Sequence, residues 1–387
     1  MKKTSLLLII FLTIASAKAQ ERVITTGVPF LMVAADARAA GMADIGIATA
    51  TDAFSQQWNP AKYAFSNHKQ GFSVSYTPYL TDLVNDISLG QITYFNKIND
   101  KSAWAGSLRY FGLGNIELRN DATDQPRIVS PNELALDGSY SLKLSNTFSM
   151  AVAGRYIRSN LKVATDNTDA SAANTFAVDV AGFYQSEEKA FNSFNGIWRA
   201  GFNIQNLGPK ISYDNDEFNT NFLPANLKIG TGFDFIFDED NKLAVNIELN
   251  KLLVPTPQNP DLNGDGIVSP EEYTQNYNNY RKTGWVSGLV KSFGDAPNGF
   301  SEELKEVTYA LGSEYIYKDA FAVRAGYFHE SPIKGARQYF SLGAGFKYTT
   351  AKIDVSYLFS TSNVRNPLEN TLRFSLSFNF GDNYGIN

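Results

Sequence analysis

Cysteine is absent from this sequence, and histidine occurs only twice, at His68 and His329. The first absence excludes thiol nucleophiles, thiolate metal sites and disulfides. The second leaves no zinc-binding spacing. An excess of positive charge is missing too. The formal net charge is −5, from 34 basic and 39 acidic side chains, which argues against nucleic acid as a partner. Long apolar runs are missing after Leu12. A membrane-spanning helix needs about 20 such residues, so none can be drawn.

The beginning, "MKKTSLLLIIFLTIASAKAQ", carries Lys2 and Lys3, a short apolar core from Leu6 to Ile14, and the small-x-small triplet Ala17-Lys18-Ala19. It reads as a secretory signal peptide, residues 1–19, cleaved near Ala19. Its removal takes three Lys and no acid. The basic count falls from 34 to 31 against 39 acids, a charge of −8. Export without cysteine fits a bacterial envelope protein.

Aromatic residues, by contrast, are plentiful: 20 Tyr and 28 Phe. Girdles of aromatics are the mark of outer-membrane barrels. With no spanning helix, a closed barrel is the other way to satisfy every backbone group in lipid. The strand pattern agrees. "TLRFSLSFNF" places Leu372, Phe374, Leu376, Phe378 and Phe380 on one face and Arg373, Ser375, Ser377 and Asn379 on the other. This period of two predicts a lipid-facing side and a polar lumen side.

The alternation recurs over 71–80, 86–98, 101–113, 132–144, 147–161, 174–185, 196–206, 225–237, 242–251, 306–318, 320–330, 338–349, 351–361 and 371–380. "WVSGLVKSF", 285–293, repeats its apolar residues every three to four and predicts a helix. The fold class is therefore all-β: a 14-stranded antiparallel transmembrane β-barrel, integral to the outer membrane, over residues 71–380. Its even-to-odd turns are short and most odd-to-even loops are long, which places the long ones outside. The longest is 252–305. Residues 381–387 form a tail. A soluble β-sandwich is the rival; its strands are shorter and apolar only on the inner face.

"DLNGDGIVSPEE", in the longest loop, matches the twelve-residue calcium loop of an EF-hand. Asp261, Asn263 and Asp265 fill positions 1, 3 and 5. Gly266 permits the turn, Ile267 offers a carbonyl at 7, Ser269 sits at 9, and Glu272 at 12. The Pro-rich "KLLVPTPQNP" before it forms no entering helix, while "SPEEYTQNYNNYRK" after it starts one. This predicts a structural Ca²⁺ that stiffens the loop, not a sensor. The bland alternative is an Asp/Asn/Gly turn that binds nothing.

Inward Arg109, Arg155, Arg199 and Arg324, with Asp137, Asp179, Asp234 and Glu248, are expected to form a lumen charge network or else to line a solute path. No spacing selects a Ser-His-acid site, and His329 is expected to be a solvated residue at a strand end.

Residues 20–70 do not alternate. "GVPFLMVAADARAAGMADIGIATATDAFSQQWNPAKYAF" is rich in small residues and suits a compact plug within a lumen. This segment, with "SFGDAPNGFSEELKEV" and "FAVRAGYFHESPIKGARQYFSLGAGFKY", closely resembles the PorV family of the Bacteroidetes type IX secretion system. More distantly it is similar to the FadL family of fourteen-stranded channels, whose plug also carries an NPA turn. The resemblance implies a cargo shuttle rather than an enzyme. It would bind the C-terminal signal domain of secreted proteins as they leave the translocon barrel, and pass them to the cell-surface attachment complex; in gliding species the cargo includes adhesins. It assigns no partner-binding residue, and loops 207–224 and 252–305 are the geometric choice. The sequence departs from many barrels after Phe380, where "GDNYGIN" follows the last aromatic. Two other functions stand beside the shuttle: a FadL-like channel for hydrophobic solutes, and an outer-membrane lipid or lipopolysaccharide hydrolase.

Overall fold

The computed structural model describes residues 23–119, 121, 125–162, 171–213, 220–362 and 366–381. The expected signal peptide and the tail beyond Gly381 lie outside the described residues. Fourteen long strands follow in chain order: β1 Gln70–Pro78, β2 Ile87–Lys97, β3 Ser102–Leu113, β4 Asn132–Lys143, β5 Phe148–Asn160, β6 Ala173–Gln185, β7 Asn195–Leu207, β8 Asn226–Ile236, β9 Asn241–Leu252, β10 Val307–Tyr317, β11 Phe321–His329, β12 Gln338–Tyr348, β13 Ala351–Ser360 and β14 Leu372–Phe380. Each pairs antiparallel with its sequence neighbours, and β14 returns to β1, Phe378 opposite Phe72 and Phe374 opposite Tyr76. The sheet thus closes on itself and leaves no free long edge. All fourteen expected strands are present, and 285–293 contains the expected helix, Trp285–Lys291.

The distribution of polarity is the reverse of a soluble protein's. Phe72, Leu136, Val152, Phe176 and Phe374 are exposed on the outer wall. Ser73, Gln91, Arg109, Asp137 and Ser375 are buried inside. Water would penalise that outer surface, and lipid removes the penalty. Among the described residues no helix is long and apolar enough to cross a membrane.

Connections at one end are short, as between β10 and β11 or β12 and β13. Those at the other end are long. They carry two small hairpins, Ile116–Leu118 with Arg127–Val129 and Ile211–Ser212 with Thr220–Asn221. Between β9 and β10 stand the helices Pro270–Lys282, Trp285–Lys291 and Phe300–Glu303.

Candidate functional site

Two regions could carry function: the inside of the wall, against which the described residues 28–66 are largely buried, and the surface formed by the long loops.

This inner filling is short helical turns joined by irregular backbone, with Phe30, Met42, Trp58 and Tyr63 buried among many small residues. Ala37–Ala40 is capped by Asp36, whose Oδ1 accepts from the Ala39 N–H at 2.8 Å while Oδ2 accepts from Trp58 Nε1 at 2.7 Å. The Asn59-Pro60-Ala61 turn opens the 3-10 helix Pro60–Phe65. Asn59 accepts from the Ala61 N–H and donates to the carbonyls of Ile47 and Gly182, so one side chain stitches the turn to its own segment and to β6.

The wall answers with inward polar side chains. Ser375 accepts from the Ala37 N–H at 2.7 Å, Ser341 from Ala43, and Glu248 from Gly46 and Ile47. Asn203 and Gln205 donate to the carbonyls of Trp58 and Gln57. Irregular backbone in a lumen must find partners outside its own ladder, and these side chains supply them. Glycines make the approach possible. A Cβ on Gly326 would sit 2.3 Å from the carbonyl carbon of Met42, and one on Gly343 would sit 3.0 Å from the Cα of Gly41.

The expected charge network exists. Arg155 joins Asp137 at 2.5 Å and Asp179 at 2.9 Å, Arg109 lies 3.5 Å from Asp137, Arg199 pairs with Asp234, and Lys228 with Glu248 at 3.4 Å. Arg324, however, pairs with none of the four expected acids. It holds Glu314 at 2.7 Å and Asp354 at 2.8 Å. Glu314 also accepts from Arg38, at 3.1 Å to Nε and 2.7 Å to Nη2, and Arg38 reaches Asp52 at 2.6 Å. A chain of charge therefore runs from the wall into the filling. Alternation in the sequence marks an inward Glu314, but nothing in it reveals that Arg38 lies across from it.

On the surface, the two loops favoured on geometric grounds touch. The Phe222 ring meets Tyr280 edge-on at 5.6 Å, and Lys210 lies over Phe222 and donates to the Arg281 carbonyl at 2.7 Å. Burial and the nearby Asp295 charge push the Tyr280 phenol up to about 12. Below them, Lys251 binds Glu303 at 2.9 Å and Glu306 at 2.8 Å, while Lys334 binds Glu302 at 2.7 Å and Glu306 at 2.8 Å. Thr256 adds a 2.6 Å bond to Glu306. Burial raises the Glu306 carboxyl, but the bonds from Lys251, Lys334 and Thr256 outweigh it and hold the group below its usual range. This network ties the β9–β10 loop to the β11–β12 loop. Sequence reading missed all of it.

The twelve-residue motif takes a defined shape. Asp261 accepts from the Gly264 and Gly266 N–H groups, Asn263 from Asp265, and Asp265 from Ile267. Gly266 has φ 82°, a left-handed turn that only glycine adopts without strain. Ser269 caps the helix Pro270–Lys282, and Glu272 completes a capping box. One Glu272 oxygen accepts from the Leu262 and Asn263 N–H groups and the other from Ser269. Those bonds, Ser269's backbone first, draw its carboxyl below the usual range. The donors suit a hard cation in type, since all are oxygens. In arrangement, no group of three acidic or histidine side chains among the described residues converges at metal-binding distance. Glu272 would have to leave its capping role to bind with both oxygens.

His329 is not simply solvated. It ends β11, half-buried, its ring stacked on Tyr309 at 4.7 Å. His68 lies apart from it, near the start of β1.

Compared with known families, residues 16–259 match the family described as "Type IX secretion system protein PorV". The chain belongs to the PorV family. Among curated proteins, none matches it. Solved structures resemble this PorV-family chain in fold. The TodX deltaS2S3 mutant monoaromatic hydrocarbon channel is 11% identical, with 90% of this chain and 98% of that one covered and a TM-score of 0.50. The toluene transporter TbuX of Ralstonia pickettii is 9% identical, with 91% and 100% covered and a TM-score of 0.48. A Pseudomonas aeruginosa FadL homologue is 12% identical, with 90% and 99% covered and a TM-score of 0.44. At 11% identity the likeness to the TodX mutant concerns the fold alone. A type IX secretion protein in the form of an outer-membrane barrel is what the family and the closed wall together establish.

Proposed function

We propose that this PorV-family barrel is a binding protein, not an enzyme, and works as the outer-membrane shuttle of the type IX system. It takes the C-terminal signal domain of cargo at the translocon barrel and delivers it to the surface attachment complex. The family match carries this reading. The joined surface loops support it, because a docking platform has to be stiff to hold a partner without a large ordering cost. In this reading residues 20–70 are a plug, and the charge chain through Arg38, Glu314 and Arg324 keeps the lumen shut. Deleting the gene tests the reading. Accumulation of signal-domain proteins inside the cell supports the shuttle. Normal secretion with lost uptake of hydrophobic solutes would favour a channel, and an altered lipid A alone a hydrolase. Recovery of cargo and translocon from solubilised membranes, identified by mass, tests the partners.

We also propose that the Asp261–Glu272 loop holds a structural Ca²⁺ through Asp261, Asn263, Asp265, the Ile267 carbonyl, Ser269 through water, and Glu272. The ligand order in the sequence and the positive-φ Gly266 support it. The ion would stiffen the loop where it enters the helix Pro270–Lys282.

A further inference from the structure

The stretch from Trp285 to Lys305 sorts its side chains by charge. Its acids turn inward. Glu302 and Glu303 are buried on Lys334 and Lys251, and Asp295 accepts from the Thr256 N–H. Its lysines, Lys291 and Lys305, turn outward. The same stretch exposes Val286, Val290, Phe293, Phe300 and Leu304, each between 57% and 76%. The opposite face of the helix is fixed, for Gly288 is buried so tightly that a Cβ there would meet Pro255 and Phe222 at 2.9 and 3.0 Å. The outward face is thus apolar and cationic on a chain whose net charge is acidic.

Five large apolar side chains exposed within one short segment are more than scattered surface residues account for, and point to an interface. The charge indicates what covers it. Lysines beside Val, Leu and Phe form the surface that seats in an anionic lipid interface, with apolar groups at the acyl boundary and ammonium groups on phosphate. The wall leads there. Leu304 precedes β10 by three residues, and β10 turns Tyr309 and Leu311 outward beside Leu249 and Ile247 of β9. Apolar surface therefore continues along the chain from the lipid-facing wall to this segment.

We propose that residues 285–305 rest on the outer leaflet of the membrane, with Val290, Phe293, Phe300 and Leu304 in its interfacial layer and Lys291 and Lys305 against lipid phosphate groups. The loop would then be fastened from below by its buried acids and from the side by lipid. This does not depend on the cargo role.

The absence of cysteine makes the test direct. Full-length Val290→Cys, Phe300→Cys and, as a control on the polar helix, Gln275→Cys would each carry an environment-sensitive fluorophore. The bilayer would be nanodiscs of phosphatidylcholine and phosphatidylglycerol, with and without a lipid bearing a headgroup-depth nitroxide. At positions 290 and 300 the expected result is blue-shifted emission, loss of emission to the lipid nitroxide and protection from aqueous iodide. Position 275 should behave in the opposite way. Adding Lys291→Glu with Lys305→Glu, or leaving out phosphatidylglycerol, should weaken the quenching by lipid. Labels at 290 and 300 that iodide reaches and the nitroxide does not would overturn the proposal. So would labels that stay wet both in nanodiscs and in vesicles of extracted outer-membrane lipid and are shielded only in native outer membranes, since the occupant would then be a protein.

Discussion

Glu314 is the joint between wall and lumen filling, and replacing it by Ala should loosen both. Its side chain is 3% exposed, and it accepts two bonds from Arg38 and one from Arg324. Ala at this position leaves two buried guanidinium groups with one carboxylate fewer, Asp52 and Asp354 remaining. Breaking a buried ion pair from one side costs about 3–5 kcal/mol. Counting orphaned donors instead, at about 1–3 kcal/mol each for the two groups most affected, gives a range of about 2–6 kcal/mol. The two routes agree, so the unfolding free energy of Glu314→Ala in a urea titration of the refolded barrel should drop by about 3–5 kcal/mol. Segment 29–65 should become open to protease well before the wall unfolds. Glu314→Gln keeps the shape and should fall between. Arg38→Met combined with Glu314→Leu removes one unpaired guanidinium but leaves Arg324 without Glu314 and Asp52 without Arg38, so it should recover only part of the loss. An unchanged urea midpoint together with unchanged protease resistance in Glu314→Ala would refute the claim that this chain of charge secures the filling.

Gly326→Ala forces a Cβ within 2.3–2.8 Å of Met42 and Ala43 backbone atoms, which cannot swing aside, whereas Gly138→Ala and Gly154→Ala meet nothing within 4 Å. The first should lose about 1–3 kcal/mol and the other two should be near neutral in the same titration. The β9–β10 loop should weaken in acid. Glu306 titrates below its unfolded value, so its contribution is complete above about pH 4.5 and disappears as the pH falls through the lower folded value. Asp295, raised by burial, acts in the opposite sense, so Asp295→Asn should make the loss steeper. Hydrogen exchange across 253–306, corrected for its intrinsic pH dependence, checks both. Calcium should bind with a Kd of about 10⁻⁴–10⁻³ M, and chelation should expose 261–272 to protease. Glu272→Gln should remove the calcium effect in calorimetry, and a wild type that shows no heat and no protection would leave the loop as an ordinary turn.

The wall was legible because a barrel strand writes itself into the sequence. Leu372, Phe374, Leu376 and Phe378 alternate with Arg373, Ser375 and Ser377 because neighbouring side chains point into different solvents, lipid and lumen. The four-residue spacing of Trp285 and Leu289 identified a helix by the same logic. The turn at Gly266 and the helix that follows it were legible too, since Gly266 and the Asp/Asn positions act over only a few residues.

What only tertiary structure decided is pairing across distance. Period two says that Arg324 and Glu314 face inward. It cannot say that Glu314 sits opposite Arg324 and Arg38, the latter 276 residues earlier in the chain. Nor does it say that Lys251 and Lys334 converge on Glu306. A side chain's direction follows from local backbone geometry and is encoded locally. Its partner follows from how the sheet closes and how the loops fold over its rim, and the sequence states that only through the folded chain.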